Sequence, residues 1–466
     1  MYDAVIIGAG MSGLAAGIRL AYYDQRVCIL ERHTTIGGLN SFYRLGGRNY
    51  DVGLHAVTNF TPKGAKKGPL ARLLRQLRFR WDDFCLFPQI GSAIAFPGIA
   101  LKFSNEFELF RSEVHKFFPA QKDRFERLLS KIIDYDDLDE RTAGQSARAV
   151  VDDVITDPLL SNMLFCPLMF YGSARENDMD FAQFSILFRS IFFEGLGRPF
   201  AGVRVILKNF VRKFKQLGGE LRLRAGVDRM TVDHGEVSKI VLEDGSELAA
   251  KRVLSSAGWF ETMRLCDEPA VAPDRKPGQL SFVETVSVLD QQPSNVGYDQ
   301  TIVFFNDSHK FHWQKPEEMV DLRSGVICSP NNFAYDEPLS DDMIRLTALA
   351  NYDRWKELSP EAYLAAKQAW YDRLVESAIR FIPDFRHAVI DTDTFTPTTI
   401  RRFTGHDNGA VYGAARKQWD GRTHLKNLFI CGTDQGFVGI IGSIISGISM
   451  ANRHILRGGD AGAPPD

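Results

Sequence analysis

Three short runs of this chain combine residue types and spacings that could do chemistry. The first is Gly8-Ala9-Gly10-Met11-Ser12-Gly13, a GxGxxG turn between an apolar strand over Ala4 to Ile7 and a helix predicted from Ser12 to Tyr23. Gly8 permits a tight turn, Gly10 lets backbone come close to a pyrophosphate, Gly13 allows close helix packing, and the helix N-terminus favours an anion. A second strand over Arg26 to Leu30 is closed by Glu31, whose carboxylate suits ribose hydroxyls and would repel a 2′-phosphate. Strand, turn, helix and acid in this order predict a dinucleotide site that does not take NADP.

The second run is Glu31-Arg32, then Ile36-Gly37-Gly38-Leu39-Asn40, then Tyr50-Asp51-Val52-Gly53-Leu54-His55. The third is Gly432-Thr433-Asp434 at the end of an apolar strand, with Gly439-Ile440-Ile441-Gly442 opening a final helix. Together with Gly226-Val227 and Gly409-Ala410-Val411-Tyr412-Gly413, these landmarks resemble flavoproteins of the amine oxidase and phytoene desaturase superfamily. They look most like its branch of phytoene desaturases, carotenoid isomerases and retinol saturases. The resemblance implies FAD, contacted by Gly8, Gly10, Met11, Ser12, Gly13, Glu31 and Arg32 in the first βαβ unit. Gly37, Gly38, Leu39 and Asn40 would pass close to the extended cofactor, and the backbone at Val227 would clasp adenine. Asp434, after Gly432, would accept hydrogen bonds from ribityl hydroxyls, a helix cap being its bland local alternative. The amides at Gly439, Ile440 and Ile441 would face the pyrimidine end of the flavin, whose negative charge grows on reduction. Leu39 departs from the Arg found there in many amine oxidases, and no cysteine lies near Tyr412, so non-covalent FAD is expected.

No second GxGxxG is present, so the electrons are expected to come from the substrate, by hydride transfer to flavin N5 and reoxidation by oxygen or a quinone. A redox-neutral isomerase using reduced flavin would employ the same site. The candidate catalytic side chains are His55, which would contact the flavin or act as an acid or base, and Arg402, His406 and Tyr412, which precede the C-terminal cofactor strand. Lys417 has no local support for a role. The runs 159–172 and 181–195 are dense in Phe, Met, Leu and Ile, as a hydrophobic tunnel or an ordinary core would be. The resemblance therefore implies an oxidoreductase acting on an apolar isoprenoid by desaturation, saturation or isomerisation. Its rivals are a flavin amine oxidase and a non-catalytic flavin- or lipid-binding protein.

The elements that must position these residues follow from patterning. An α/β fold is expected, a doubly wound, Rossmann-like FAD-binding domain with an interleaved α+β substrate domain. The FAD domain is assigned to 1–75, 201–269 and 401–466, and the substrate domain to 76–200 and 270–400. The chain of 466 residues, 44% hydrophobic and 24% charged with a formal net charge of -2, gives no global attraction for nucleic acid. Six scattered cysteines without metal spacing and the absence of an export signal before the first strand suggest a cytoplasmic protein. Residues 63–80 place Leu70, Leu73, Leu74 and Leu77 on one helical face among basic residues, either a peripheral membrane contact or a surface helix packed inward. The tail RGGDAGAPPD is expected to be disordered.

Overall fold

The structure is a computed structural model that describes residues 1–53, 55–135, 144–270 and 275–457. Leu54 and the tail from residue 458 onward lie outside the described residues. The first strand, Tyr2–Ile7, is apolar enough to be covered on both faces, and it centres a five-stranded parallel sheet. Its neighbours are Val27–Glu31 and Ala250–Ser255, with Glu220–Leu223 and Leu428–Ile430 outside them. These strands come from all three segments assigned to the FAD domain.

One face of this sheet, with Ala4, Ile6 and Ile29, is covered by the helices Met11–Ala21, Arg204–Gln216 and Gly439–Ala451. A Cβ at Gly447 would overlap the Ser12 carbonyl, so glycine lets the C-terminal helix lie directly on the start of the first one. The opposite face, with Val5, Cys28 and Leu30, is covered by a three-stranded antiparallel ribbon running from Val227 to Leu248.

A seven-stranded mixed sheet forms the second layer system. Its strand order is Val389–Phe395, Ser281–Leu289, Asp342–Ala350, Ser324–Cys328, Ile302–Asn306, Ser92–Phe96 and Ile99–Phe103. All seven lie in the segments assigned to the substrate domain. Period-two alternation divides its side chains. Val283, Phe305, Ile327, Leu346 and Ala348 pack under the helix Pro360–Ala378. Phe282, Phe304, Val326, Cys328 and Leu349 face the helices Pro158–Gly172 and Phe181–Phe188.

The structure decides between two pairs of alternatives here. Most of the aromatic run 181–195 fills a core, because Phe184, Phe188 and Phe192 are fully buried and ring centroids lie only 4.2 Å apart for Phe110 and Phe192 and 4.8 Å for Phe188 and Phe192. Space taken by stacked rings is not a tunnel. Likewise the helix within 63–80 is Pro69–Gln76, and Leu70, Leu73, Leu74 and Leu77 are buried against the first and last helices. The apolar face is consumed by the fold, which leaves only charge for any bilayer. No helix among the described residues is long and apolar enough to cross a membrane.

Candidate functional site

The glycine turn holds a positive φ at Gly8, +97°, which favours glycine. Gly13 is required by the loop itself, since a Cβ there would overlap the Gly8 carbonyl. Gly10 is different. Its backbone is extended, and the nearest atom to a Cβ at that position is the Gly37 carbonyl oxygen, 4.0 Å away. Gly37 donates its N–H to the Ala9 carbonyl at 3.0 Å, and a Cβ on Gly38 would come 3.8 Å from the Gly10 Cα. The two glycine motifs thus meet backbone to backbone, and the side-chain-free surface they share is the floor of the cleft expected for the pyrophosphate. Leu39 and Asn40 continue into a 3₁₀ turn, against which Gly53 packs close to the Leu39 carbonyl.

Glu31 is buried at the edge of this cleft. Its Oε2 accepts the Ala9 N–H at 2.9 Å and its Oε1 the His33 N–H at 3.0 Å, while its backbone carbonyl accepts the Ala225 N–H. Gly226 and Val227 follow at once, so the segment expected to meet adenine stands beside the acid expected to meet ribose. Arg32 is exposed and donates to the Arg402 carbonyl at 3.0 Å.

The C-terminal landmarks close on the same cleft. Gly432 donates to Ser446 Oγ at 2.8 Å and lies against Ser12. Asp434 is buried and its two carboxylate oxygens accept the Trp259 N–H at 2.6 Å and the Ala414 N–H at 2.7 Å. It ties the loop carrying Tyr412 to the strand end at Ser255. Gly439 has φ +73° and open space where a Cβ would stand, with Ile440 and Ile441 buried just behind it. These openings, the free helix N-terminus and the acid at Glu31 fit FAD: glycine backbone for the pyrophosphate and for the ring, and a carboxylate for the ribose.

The candidate catalytic side chains separate. His55 Nε2 lies 3.0 Å from Thr347 Oγ1 on the inner face of the seven-stranded sheet, and its Nδ1 is buried without a partner. Burial, reinforced by the Arg345 and Arg198 guanidiniums, holds this imidazole down to about 3. It is neutral at pH 7 and serves as a hydrogen-bonding group. Because the unfolded chain, with an ordinary His, takes up this proton more readily, His55 subtracts stability as pH falls from about 6.5 toward 3. The melting temperature of His55→Gln is therefore expected to fall less than that of the natural chain between pH 7 and pH 4.

Tyr412 donates its OH to the Phe170 carbonyl and meets Phe282 edge-on at 5.9 Å and 83°. Phe170, Phe282 and Trp313 continue this wall, with Trp313 and Phe170 4.8 Å apart. Lys417 donates to the Tyr412 carbonyl, and burial brings its ammonium down to about 8. His406 is buried 3.8 Å from Glu261; burial opposes its charge, but Glu261 and Asp434 outweigh that and raise its pKa. Arg402 stands on the exposed face of the helix Pro397–Thr404. The structure thus brings His55 and Tyr412 to one sheet face and keeps the His406 and Arg402 side chains in other surroundings.

Three charged residues that the sequence reading did not single out, Arg198, Arg345 and Glu284, join Asp51 in a cluster near His55. Arg198 Nη2 donates to Asp51 Oδ2 at 2.7 Å, Arg345 pairs with Glu284, and Arg345 Nη2 also donates to the Asp51 carbonyl at 2.9 Å. All four are buried. Arg198, Asp51 and Arg345 line a polar cavity of about 70 Å³. Lone charges in SFVETVSVL and DMIRLTALA were the available signal, since a charge in an otherwise apolar strand requires a partner.

Comparison with known proteins adds a match to the family described as Flavin containing amine oxidoreductase over residues 11–455. The chain belongs to that family. Its cofactor is FAD, and the fold is the expected doubly wound domain with an interleaved α+β domain. Among relatives, the chain is 23% identical to prolycopene isomerase of Arabidopsis thaliana, over 97% of its length and 82% of the relative's. It is 21% identical to all-trans-retinol 13,14-reductase of Danio rerio, covering 97% of this chain and 86% of that one. An oxidoreductase from Methanosarcina mazei has the same fold, with a TM-score of 0.68, 15% identity, and coverage of 96% of this chain and 99% of its own. The protein is thus an oxidoreductase of this family. No group of acidic, His or Cys residues able to hold a metal occurs among the described residues.

Proposed function

We propose that this oxidoreductase acts on an apolar isoprenoid of the carotenoid or retinoid type, by desaturation, saturation or isomerisation. The observation that carries this reading is Tyr412, a half-buried ring on the loop clamped by Asp434, backed by the packed rings of Phe170, Phe282 and Trp313. Relatives named for prolycopene and retinol, aligned along nearly the whole chain, support it. FAD, when bound, supplies a two-electron acceptor or donor.

The chain's own residues orient and exclude water. The Tyr412 hydroxyl is fixed on the Phe170 carbonyl and its ring packs edge-on against the buried Phe282, so the exposed part of the ring is a rigid apolar contact for a polyene. His55, neutral and anchored on Thr347, adds a hydrogen-bonding group without a charge. Oxygen or a quinone serves as acceptor in the oxidative direction.

The reading is tested by incubating FAD-loaded protein with detergent-solubilised cis and trans polyenes and separating the products by chromatography. A product changed in unsaturation or in double-bond geometry is expected. Unchanged polyenes together with peroxide release from amines would assign the amine oxidase reaction instead. Intact FAD with no turnover of either class would leave a non-catalytic flavoprotein.

A further inference from the structure

We propose that the segment 63–80 and the helix Arg204–Gln216 form one electrostatic docking face for a bilayer containing anionic lipid. The choice of lipid over another polyanion rests on the apolar substrate proposed above. The two segments carry seven and five Lys or Arg residues and no Asp or Glu, on a chain whose formal charge is only -2. Far apart in sequence, they are joined in space. Phe79 stacks on Phe210 at 5.0 Å, Asn209 Nδ2 donates to the Asp83 carbonyl at 2.6 Å, and Lys213 Nζ donates to the Arg78 carbonyl at 2.5 Å.

Lys66, Lys67 and Arg72 are exposed on one segment, and Lys208, Arg212 and Lys215 on the other. The adjacent acids offset part of this charge but not these six residues: Asp82 pairs with Lys63 at 2.6 Å, and Asp83 Oδ2 accepts the Arg80 N–H at 2.8 Å. The leucines beneath face the core, so attachment is by charge alone, without insertion. Such binding strengthens by about fivefold per basic residue near an anionic surface and weakens with salt. A water-insoluble substrate would then be collected by an enzyme that rests on its membrane.

The experiment is sedimentation of the full-length, FAD-loaded protein with vesicles of phosphatidylcholine alone or mixed with phosphatidylglycerol, at low and high salt. Binding only to the mixed vesicles, lost at high salt, is expected. The triple variant Lys208→Glu, Arg212→Glu, Lys215→Glu is expected to bind at least about a hundredfold more weakly while keeping its flavin spectrum. Substituting this helix is decisive because the segment 63–80 is left whole. Equal binding to neutral vesicles, unchanged binding of the triple variant, or retention on duplex DNA at a salt concentration where vesicles no longer bind would overturn the proposal. Turnover of polyenes in detergent micelles is read separately, so loss of the substrate reading is distinguishable from loss of the docking face.

Discussion

Replacing Gly10 by valine is expected to give a folded protein that no longer retains FAD. The backbone at Gly10 is extended, φ -74° and ψ 179°, a conformation a β-branched residue adopts without strain. No protein atom lies closer than 4.0 Å to the new Cβ, so the turn itself tolerates the change. The added methyl groups instead stand over the glycine surface of Gly10, where the pyrophosphate would be met by backbone. A loss of at least about a thousandfold in affinity, ~4 kcal/mol, is expected. Flavin absorbance after purification and the melting curve of the flavin-free protein are the measurements. Gly13→Val is the contrast, because there the side chain overlaps the Gly8 carbonyl and the βαβ unit itself should fail. A yellow Gly10→Val protein would mean that the cofactor lies elsewhere.

The second large effect is expected from Arg345→Met. Arg345 and Glu284 form a buried pair on neighbouring strands, and the Arg345 guanidinium also holds the Asp51 carbonyl at the start of the loop that carries His55. Removing the cation leaves the Glu284 carboxylate buried beside an apolar side chain, which costs about 3–5 kcal/mol. Adding Glu284→Gln should recover most of this, apart from about 1 kcal/mol for the lost hydrogen bond to Asp51. Urea unfolding of the single and double variants gives both values. If the single variant loses no more than an exposed substitution, under about 0.5 kcal/mol, the pair does not stabilise the seven-stranded sheet.

Much of the cofactor half was legible because its constraints are local. A turn that needs positive φ at Gly8, a missing Cβ at Gly13, and an acid at a strand end leave their marks in consecutive residues. The helix Arg204–Gln216 carries the same kind of local mark, apolar residues at 3.6-residue spacing closed by Gly218 and Gly219. The substrate half was less legible. Whether Phe184 lines a cavity or a core depends on what faces it, and the Phe165 ring facing it comes from another helix that no short-range pattern connects to it. His55 was visible as a residue but its state was not, because the burial that keeps it neutral, reinforced by Arg345 and Arg198, is produced by the fold. Asp434 was read as a ligand to the cofactor from its motif, and the structure adds that it clamps two backbone segments.

The central claim, an FAD enzyme whose reacting partner is an apolar isoprenoid, is tested most directly by following the flavin spectrum anaerobically. Detergent-solubilised polyenes, and separately a panel of amines, are added to the oxidised protein; reduced protein is treated with the same polyenes. The account predicts that the oxidised flavin bands bleach with a polyene, or that reduced flavin returns to the oxidised state or isomerises the polyene, while amines have no effect. Bleaching by amines alone, with polyenes inert toward both redox states, would contradict it.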